Sequence, residues 1–134
     1  MFDLHNKKVL VTGSTQGIGL AIAKCLADFG AAVYVNGVSD KEKTKAAAKQ
    51  VKNIAKQLAP YGVTVNNLSP GVIETPRNEQ VLSDAEYKSQ VLKGIPCGYA
   101  GSPRDCAAGA LLLCSDEGRY ITGTDLVIDG GMHL

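Results

Sequence analysis

Three glycines in "TGSTQGIG", Gly13, Gly17 and Gly19, carry the first chemistry this sequence suggests. They follow an apolar run, Val9-Leu10-Val11, and precede a stretch in which Ile18, Ile22, Leu26 and Phe29 recur at helical spacing. Glycine lets the backbone turn sharply between a strand and a helix and come close to a ligand. The first N–H groups of a helix have no partner within it, and its dipole favours an anion there. The segment therefore predicts a phosphate or pyrophosphate site built from Gly13, Ser14, Thr15, Gln16, Gly17, Ile18 and Gly19. The spacing G-x-x-x-G-x-G differs from the commonest dinucleotide fingerprint, and no Lys-Ser or Lys-Thr follows as a P-loop requires. A tight turn with close helix packing is the alternative use of the same glycines.

Other residue types offer less. Cys25, Cys97, Cys106 and Cys114 form no C-x-x-C pair, and His5 and His133 stand at opposite ends, so no metal site is predicted. The cysteines read as small apolar side chains of a cytoplasmic protein. At 134 residues, 45% hydrophobic and 20% charged, the chain reads as one soluble domain. A net charge of +1 gives no field to draw it to nucleic acid or a membrane surface. "MFDLHNKKVLVTG" lacks the apolar core of a signal peptide, and no run is long enough to span a membrane.

The elements that must position the loop alternate between strand and helix, the pattern of a mostly parallel α/β sheet. "AAVYVNG" predicts a second strand. Ser39 and Glu42 predict a capping box for a long helix with Ala47, Val51, Ile54, Ala55 and Leu58 on one face. Lys45, Lys49, Lys52 and Lys56 line another face, read as solvated, with a phosphate-binding surface as the alternative. "VTVNNLSPG" predicts a third strand, and Ser83 with Glu86 a capping box for a short helix ended by Gly94. Ser102-Pro103 opens an apolar helix, and "DLVID" is the fourth strand.

"TGSTQGIG" resembles the cofactor loop of the short-chain dehydrogenase/reductases, T-G-x-x-x-G-[IL]-G. "LAPYGVTVNNLSPGVIETP" resembles that family's P-G-x-[IV]-x-T passage at Pro70, Gly71, Ile73 and Thr75, and "GYAGSPRDCAAGALLLCSDEGRYITGTDLVIDGG" its C-terminal stretch. The matches cover residues 7–37 and about 50–131. The resemblance implies an NAD or NADP site, with Ser14 to Ile18 around the ribose and pyrophosphate and Ile73 and Thr75 at the nicotinamide end. At the tip of the second strand, where an acid would hold the adenosine ribose, stands Asn36 in "VNG". No arginine stands at the usual NADP position either, so the missing acid alone leans towards NADP. The resemblance also implies an α/β, reduced Rossmann-like three-layer domain over residues 1–134, with a four-stranded sheet ordered 2-1-3-4. A homodimer through Leu111, Leu112, Leu113 and "DLVID" is implied as well, and "ETPRNEQVLSDAEYKSQVLKGIP" resembles a substrate lid.

The family's middle is not matched. Its members place a serine and a Y-x-x-x-K pair there, the tyrosine handling the substrate proton. A hydride arriving on a carbonyl leaves an alkoxide that needs a positioned donor, and tyrosine does this near neutrality only beside a cation. Four residues after Tyr34, Tyr61, Tyr87, Tyr99 and Tyr120 stand Val38, Val65, Val91, Pro103 and Thr124, none of them lysine. No catalytic residue is therefore assigned. The readings that follow are an oxidoreductase by descent, inactive or crippled in catalysis but binding nucleotide, an active enzyme using Asp40, Tyr61 or Glu74 as substitute acids, and a partner-binding or fragment-like module without nucleotide function.

Overall fold

The computed structural model describes residues 2–14, 16–36 and 53–134. Strand β1 (Lys8–Thr12) leads through the glycine loop into helix α1 (Gly17–Asp28) and strand β2 (Ala32–Asn36). Helix α2 is described over residues 53–58 and runs into a 3-10 turn, Ala59–Tyr61. Strand β3 (Asn67–Pro70), helices α3 (Pro76–Leu82), α4 (Ala85–Lys93) and α5 (Pro103–Cys114), and strand β4 (Asp125–Ile128) follow. The capping box at Ser39 and Glu42, Ala47 and Val51 of the apolar face, and Lys45, Lys49 and Lys52 lie outside the described residues.

The strands pair in parallel, β1 with β2 from Lys8 opposite Ala32 to Thr12 opposite Asn36, and β3 with β4 from Asn67 opposite Asp125 to Pro70 opposite Ile128. The α/β class and the neighbours 2-1 and 3-4 are as expected, but the single four-stranded sheet resolves into two pairs. Each pair lies under its own helix. Val9, Val11 and Val33 pack into the core beside Ile22 and Leu26 of α1, while Leu68 and Ile128 join it beside Ala107 and Ala110 of α5. The apolar seam between α1 and α5 joins the pairs, where a β1–β3 ladder was expected. On the outer face of β1–β2, Leu10 is 64% and Tyr34 57% exposed.

Local chemistry explains most element ends. Helix α1 closes with a Schellman turn: Gly30 N–H donates to Ala27 O at 2.9 Å and Ala31 N–H to Leu26 O at 3.1 Å, with Gly30 at φ +96°. Strand β3 is shorter than "VTVNNLSPG" because side chains replace the ladder before it. Val65 N–H donates to the Thr122 hydroxyl, and the Asn66 amide bonds Ile121 O and Thr124 N–H. The cap of α4 is Asp84, which accepts from Glu86 and Tyr87 N–H, so the expected capping box at Ser83 shifts by one residue. Ser83 instead ends α3, a helix not expected from the sequence.

At the start of α5 one Asp105 carboxylate oxygen accepts from Ser102 N–H at 2.6 Å and from the Ser102 hydroxyl at 2.8 Å. The backbone bond first, then the hydroxyl, holds the Asp105 carboxyl below the usual carboxylate range. A depressed folded pKa contributes stability above the unfolded value, and the contribution is lost as pH falls through the folded value. Asp105→Ala is therefore expected to cost about 1 kcal/mol at neutral pH, as helix-cap deletions do. The difference from wild type should vanish in acid, which urea unfolding at a series of pH values will measure.

Candidate functional site

The glycine loop is built as a turn closed from within. The Ser14 hydroxyl donates to Val11 O at 2.7 Å and its side chain is fully buried, so this residue shapes the loop and presents no side chain outward. Gly13 (φ +64°) and Gly17 (φ +54°) take the left-handed conformation that side chains disfavour. At Gly19 a Cβ would lie 2.7 Å from the Gly13 carbonyl carbon and 2.8 Å from Ser14 Cα, so the helix begins packed directly on the loop. Gln16 caps α1 in an extended conformation, without a side-chain bond to the helix, and the first turn carries no acid. Ile18 is half-buried against the core.

The segment after β3 comes to the same place. Gly71 N–H extends the β3–β4 pairing by donating to Ile128 O at 2.9 Å, and Pro70 before it is exposed. A Cβ on Gly17 would meet Thr75 Cγ2 at 3.6 Å, so two segments far apart in the chain face each other across the start of α1. Ile73 forms an isolated parallel bridge with Gly101, and its side chain is 2% exposed. That side chain belongs to the core, so only the Ile73 backbone can serve the expected nicotinamide contact. Thr15 lies outside the described residues. Asn36 ends β2 opposite Thr12, its side chain outside the described atoms.

These features fit a dinucleotide. The start of α1 lacks a side-chain cap, lacks a negative charge that would repel phosphate, and has at Gly17 a position where the missing Cβ leaves room.

Behind Ile73 a cleft of about 130 Å³ is lined by Val72, Tyr99, Gly101, Asp105, Ile128 and Asp129 among others. Asp129 accepts from Gly131 N–H and His133 N–H, and its Oδ2 lies 2.9 Å from His133 Nδ1. Burial works to raise the Asp129 carboxyl, but the Gly131 and His133 bonds prevail and hold it below its ordinary range.

Two of the three substitute acids fall within the described residues. Tyr61 is 80% exposed on the 3-10 turn, Glu74 points to Lys88 of α4 at 3.7 Å, and Asp40 lies outside the described residues. Burial raises the thiols of Cys25, Cys106 and Cys114, as expected of packed side chains, whereas Cys97 is exposed. Among the described residues no group of three or more His, Cys, Asp or Glu could hold a metal ion. No described helix is long and apolar enough to cross a membrane.

Asn78 is the residue that sequence reasoning missed. Its side-chain amide donates to Ile73 O at 2.9 Å and its N–H to Thr75 O at 2.8 Å. Thr75-Pro76-Arg77-Asn78 was the available signal: a helix cap, a proline at the first position, and a polar side chain at the third that can reach back.

Two family models match the chain, one described as short chain dehydrogenase over residues 7–57 and one as enoyl-(acyl carrier protein) reductase over residues 44–133. Cyclohexanol dehydrogenase of a Rhodococcus species is 35% identical over 132 residues, 98% of this chain and 44% of that protein. 3beta-Hydroxysteroid dehydrogenase 1 of Eggerthella lenta is 43% identical over 83 residues, 62% of this chain and 32% of that protein. The chain thus spans less than half the length of these curated relatives. In fold it resembles a gluconate 5-dehydrogenase from Burkholderia cenocepacia, crystallised with NADP and tartrate. That likeness has a TM-score of 0.84 at 17% identity, covering 98% of this chain and 97% of the other. With a family model matched over residues 44–133 and the glycine loop within the other match, the chain belongs to the short-chain dehydrogenase/reductase family.

Proposed function

We propose that this chain binds a nicotinamide dinucleotide, NADP in preference to NAD, and does not transfer hydride by itself. The observation that carries this reading is the apposition of Gly17 and Thr75 across the uncapped start of α1. The pyrophosphate would accept from the backbone of residues 14–18, and the nicotinamide end would extend toward the Ile73 backbone and Thr75. The bound group would supply the hydride of a carbonyl/alcohol reaction. Asn36 in place of an acid at the end of β2 supports NADP, as do solved structures of similar fold that were crystallised with it.

Turnover needs more than binding. The sequence holds no Tyr-x-x-x-Lys pair, and among the described residues the first turn of α1 carries no acid to offer the proton that the alkoxide must receive. The test is calorimetric titration with NADPH and NADH, using the double variant Gly13→Asp/Gly17→Asp as control, followed by a ketone panel. Saturable NADPH binding lost in the control, without turnover, is the expected result. No binding to folded protein would overturn the proposal, and turnover would overturn its second half.

A second reading rests on the outer face of β1–β2. Leu10 and Tyr34 are paired neighbours, both more than half exposed, on a face that suits a partner protein. Partners retained by the double glycine variant would favour it. The homodimer once implied through Leu111, Leu112 and Leu113 has less to offer. Leu111 and Leu113 are buried within the chain, which leaves half-buried Leu112 and the β4 strand for a second copy.

A further inference from the structure

The Ile73–Glu74 peptide is gripped at both ends. Its carbonyl accepts from the Asn78 side chain at 2.9 Å, and its N–H donates to Gly101 O at 2.8 Å. Gly101 N–H in turn donates to Val72 O at 2.9 Å, closing the bridge from the other direction. One residue further on, the Thr75 carbonyl accepts from Asn78 N–H at 2.8 Å. Asn78 thus holds two carbonyls of the segment that faces Gly17, one through its side chain and one through its backbone. It is half-buried, and its bonds run back into its own chain.

The use of these carbonyls has a chemical consequence. With Ile73 O and Thr75 O accepting inside the fold, the Thr75 hydroxyl is the side-chain donor that Thr75 brings to the neighbourhood of the α1 start. The position of that hydroxyl depends on the turn that precedes α3, and the Asn78 amide is the side chain that ties this turn to Ile73. Ile73 itself cannot shift, because its side chain is packed in the core. The anchor therefore runs from core to Ile73, through Asn78, to the start of α3.

We propose that Asn78 is a positioning residue of the nucleotide site, setting Thr75 against the start of α1 so that the nicotinamide end of the cofactor is held. This rests on the dinucleotide-binding reading above. Asn78 touches no part of the ligand and acts through Ile73 and Thr75. Replacing its amide by a carboxylate removes the donor and sets a negative charge against the Ile73 carbonyl, while alanine simply removes the tie.

The experiment compares wild type, Asn78→Ala, Asn78→Asp and Arg77→Ala, titrating each with NADPH and with the 2′-phosphate form of ADP-ribose, which differs from NADPH in lacking the nicotinamide. Circular dichroism and urea midpoints identify variants that remain folded. A positioning role predicts that both Asn78 variants lose about tenfold in NADPH affinity. Their affinity for this form of ADP-ribose should stay at the wild-type value, and Arg77→Ala should keep both. A general weakening of the fold would lower both ligands together, and that result overturns the proposal. Unchanged NADPH affinity in the Asn78 variants overturns it while leaving the binding reading intact. If folded wild type binds neither ligand, the binding reading fails and the proposal with it.

Discussion

Gly19→Val is expected to unfold the protein under conditions in which wild type is folded. The cause is local and rigid. The new Cβ would overlap the Gly13 carbonyl oxygen and lie 2.8 Å from Ser14 Cα, and these are backbone atoms that no rotamer change can move aside. Overpacking costs typically about 1–3 kcal/mol where the surroundings can adjust. Here they cannot, and valine adds two methyls to the clash, so the cost should reach the top of that range or exceed it. A small domain has only about 5 kcal/mol to lose. Gly19→Ala gives the graded form of the same test, with an expected loss of about 3 kcal/mol in urea unfolding. Gly13→Ala is the control. A Cβ there meets nothing within 4 Å, so only its φ of +64° is penalised, at about 1 kcal/mol. Equal losses at the two positions would mean that the loop does not pack on the helix as described.

The second large effect is on binding. Gly17→Asp should weaken NADPH affinity about 30- to 1,000-fold, whereas Gly17→Ala should cost only a few-fold. Both variants carry the same backbone strain, from φ +54°, and both place a Cβ in ordinary contact with Thr75 at 3.6 Å. Only the aspartate adds a negative charge among the N–H groups that would receive the pyrophosphate. Like charges about 4 Å apart repel by about 4 kcal/mol at an effective dielectric of 20, and solvent at this half-open site removes about half of that. The range of about 2–4 kcal/mol corresponds to the fold-change stated. The salt dependence supplies a second check, because a charge effect should shrink as ionic strength rises. If alanine proves as damaging as aspartate, shape rather than charge governs the site.

The parts of this molecule that could be read from sequence are those whose signal is local. The glycine loop, the period of Ile18, Ile22 and Leu26, and the proline after Ser102 each state their conformation within a few residues. The cap of α4 was legible to within one residue because Ser83 and Asp84 are both competent caps, and only the fold decides between them. Helix α3 was hidden because Pro76–Leu82 is too short for an apolar period to emerge. Lateral strand order is not a local property at all. Val9-Leu10-Val11 is a continuous apolar run, so it signals a strand without showing that Leu10 turns outward, and it is silent on whether β1 meets β3. The same holds at the site. Pro70, Gly71, Ile73 and Thr75 carried a recognisable motif, whereas the role of Asn78 emerges only when the Ile73 carbonyl is seen to need its amide.

The seam between α1 and α5 also sets a timetable for synthesis. Val9, Val11 and Val33 leave the ribosome well before Cys106, Ala107, Ala110 and Leu111, which share their core. Ile22 and Leu26 of α1 can cover part of this cluster early, but the rest waits for a long and entropically slow loop closure. Until the chain has been made as far as Leu111, the side that α5 covers stays open to water or to a chaperone. The half of the fold that carries the glycine loop is thus sealed only by residues made much later.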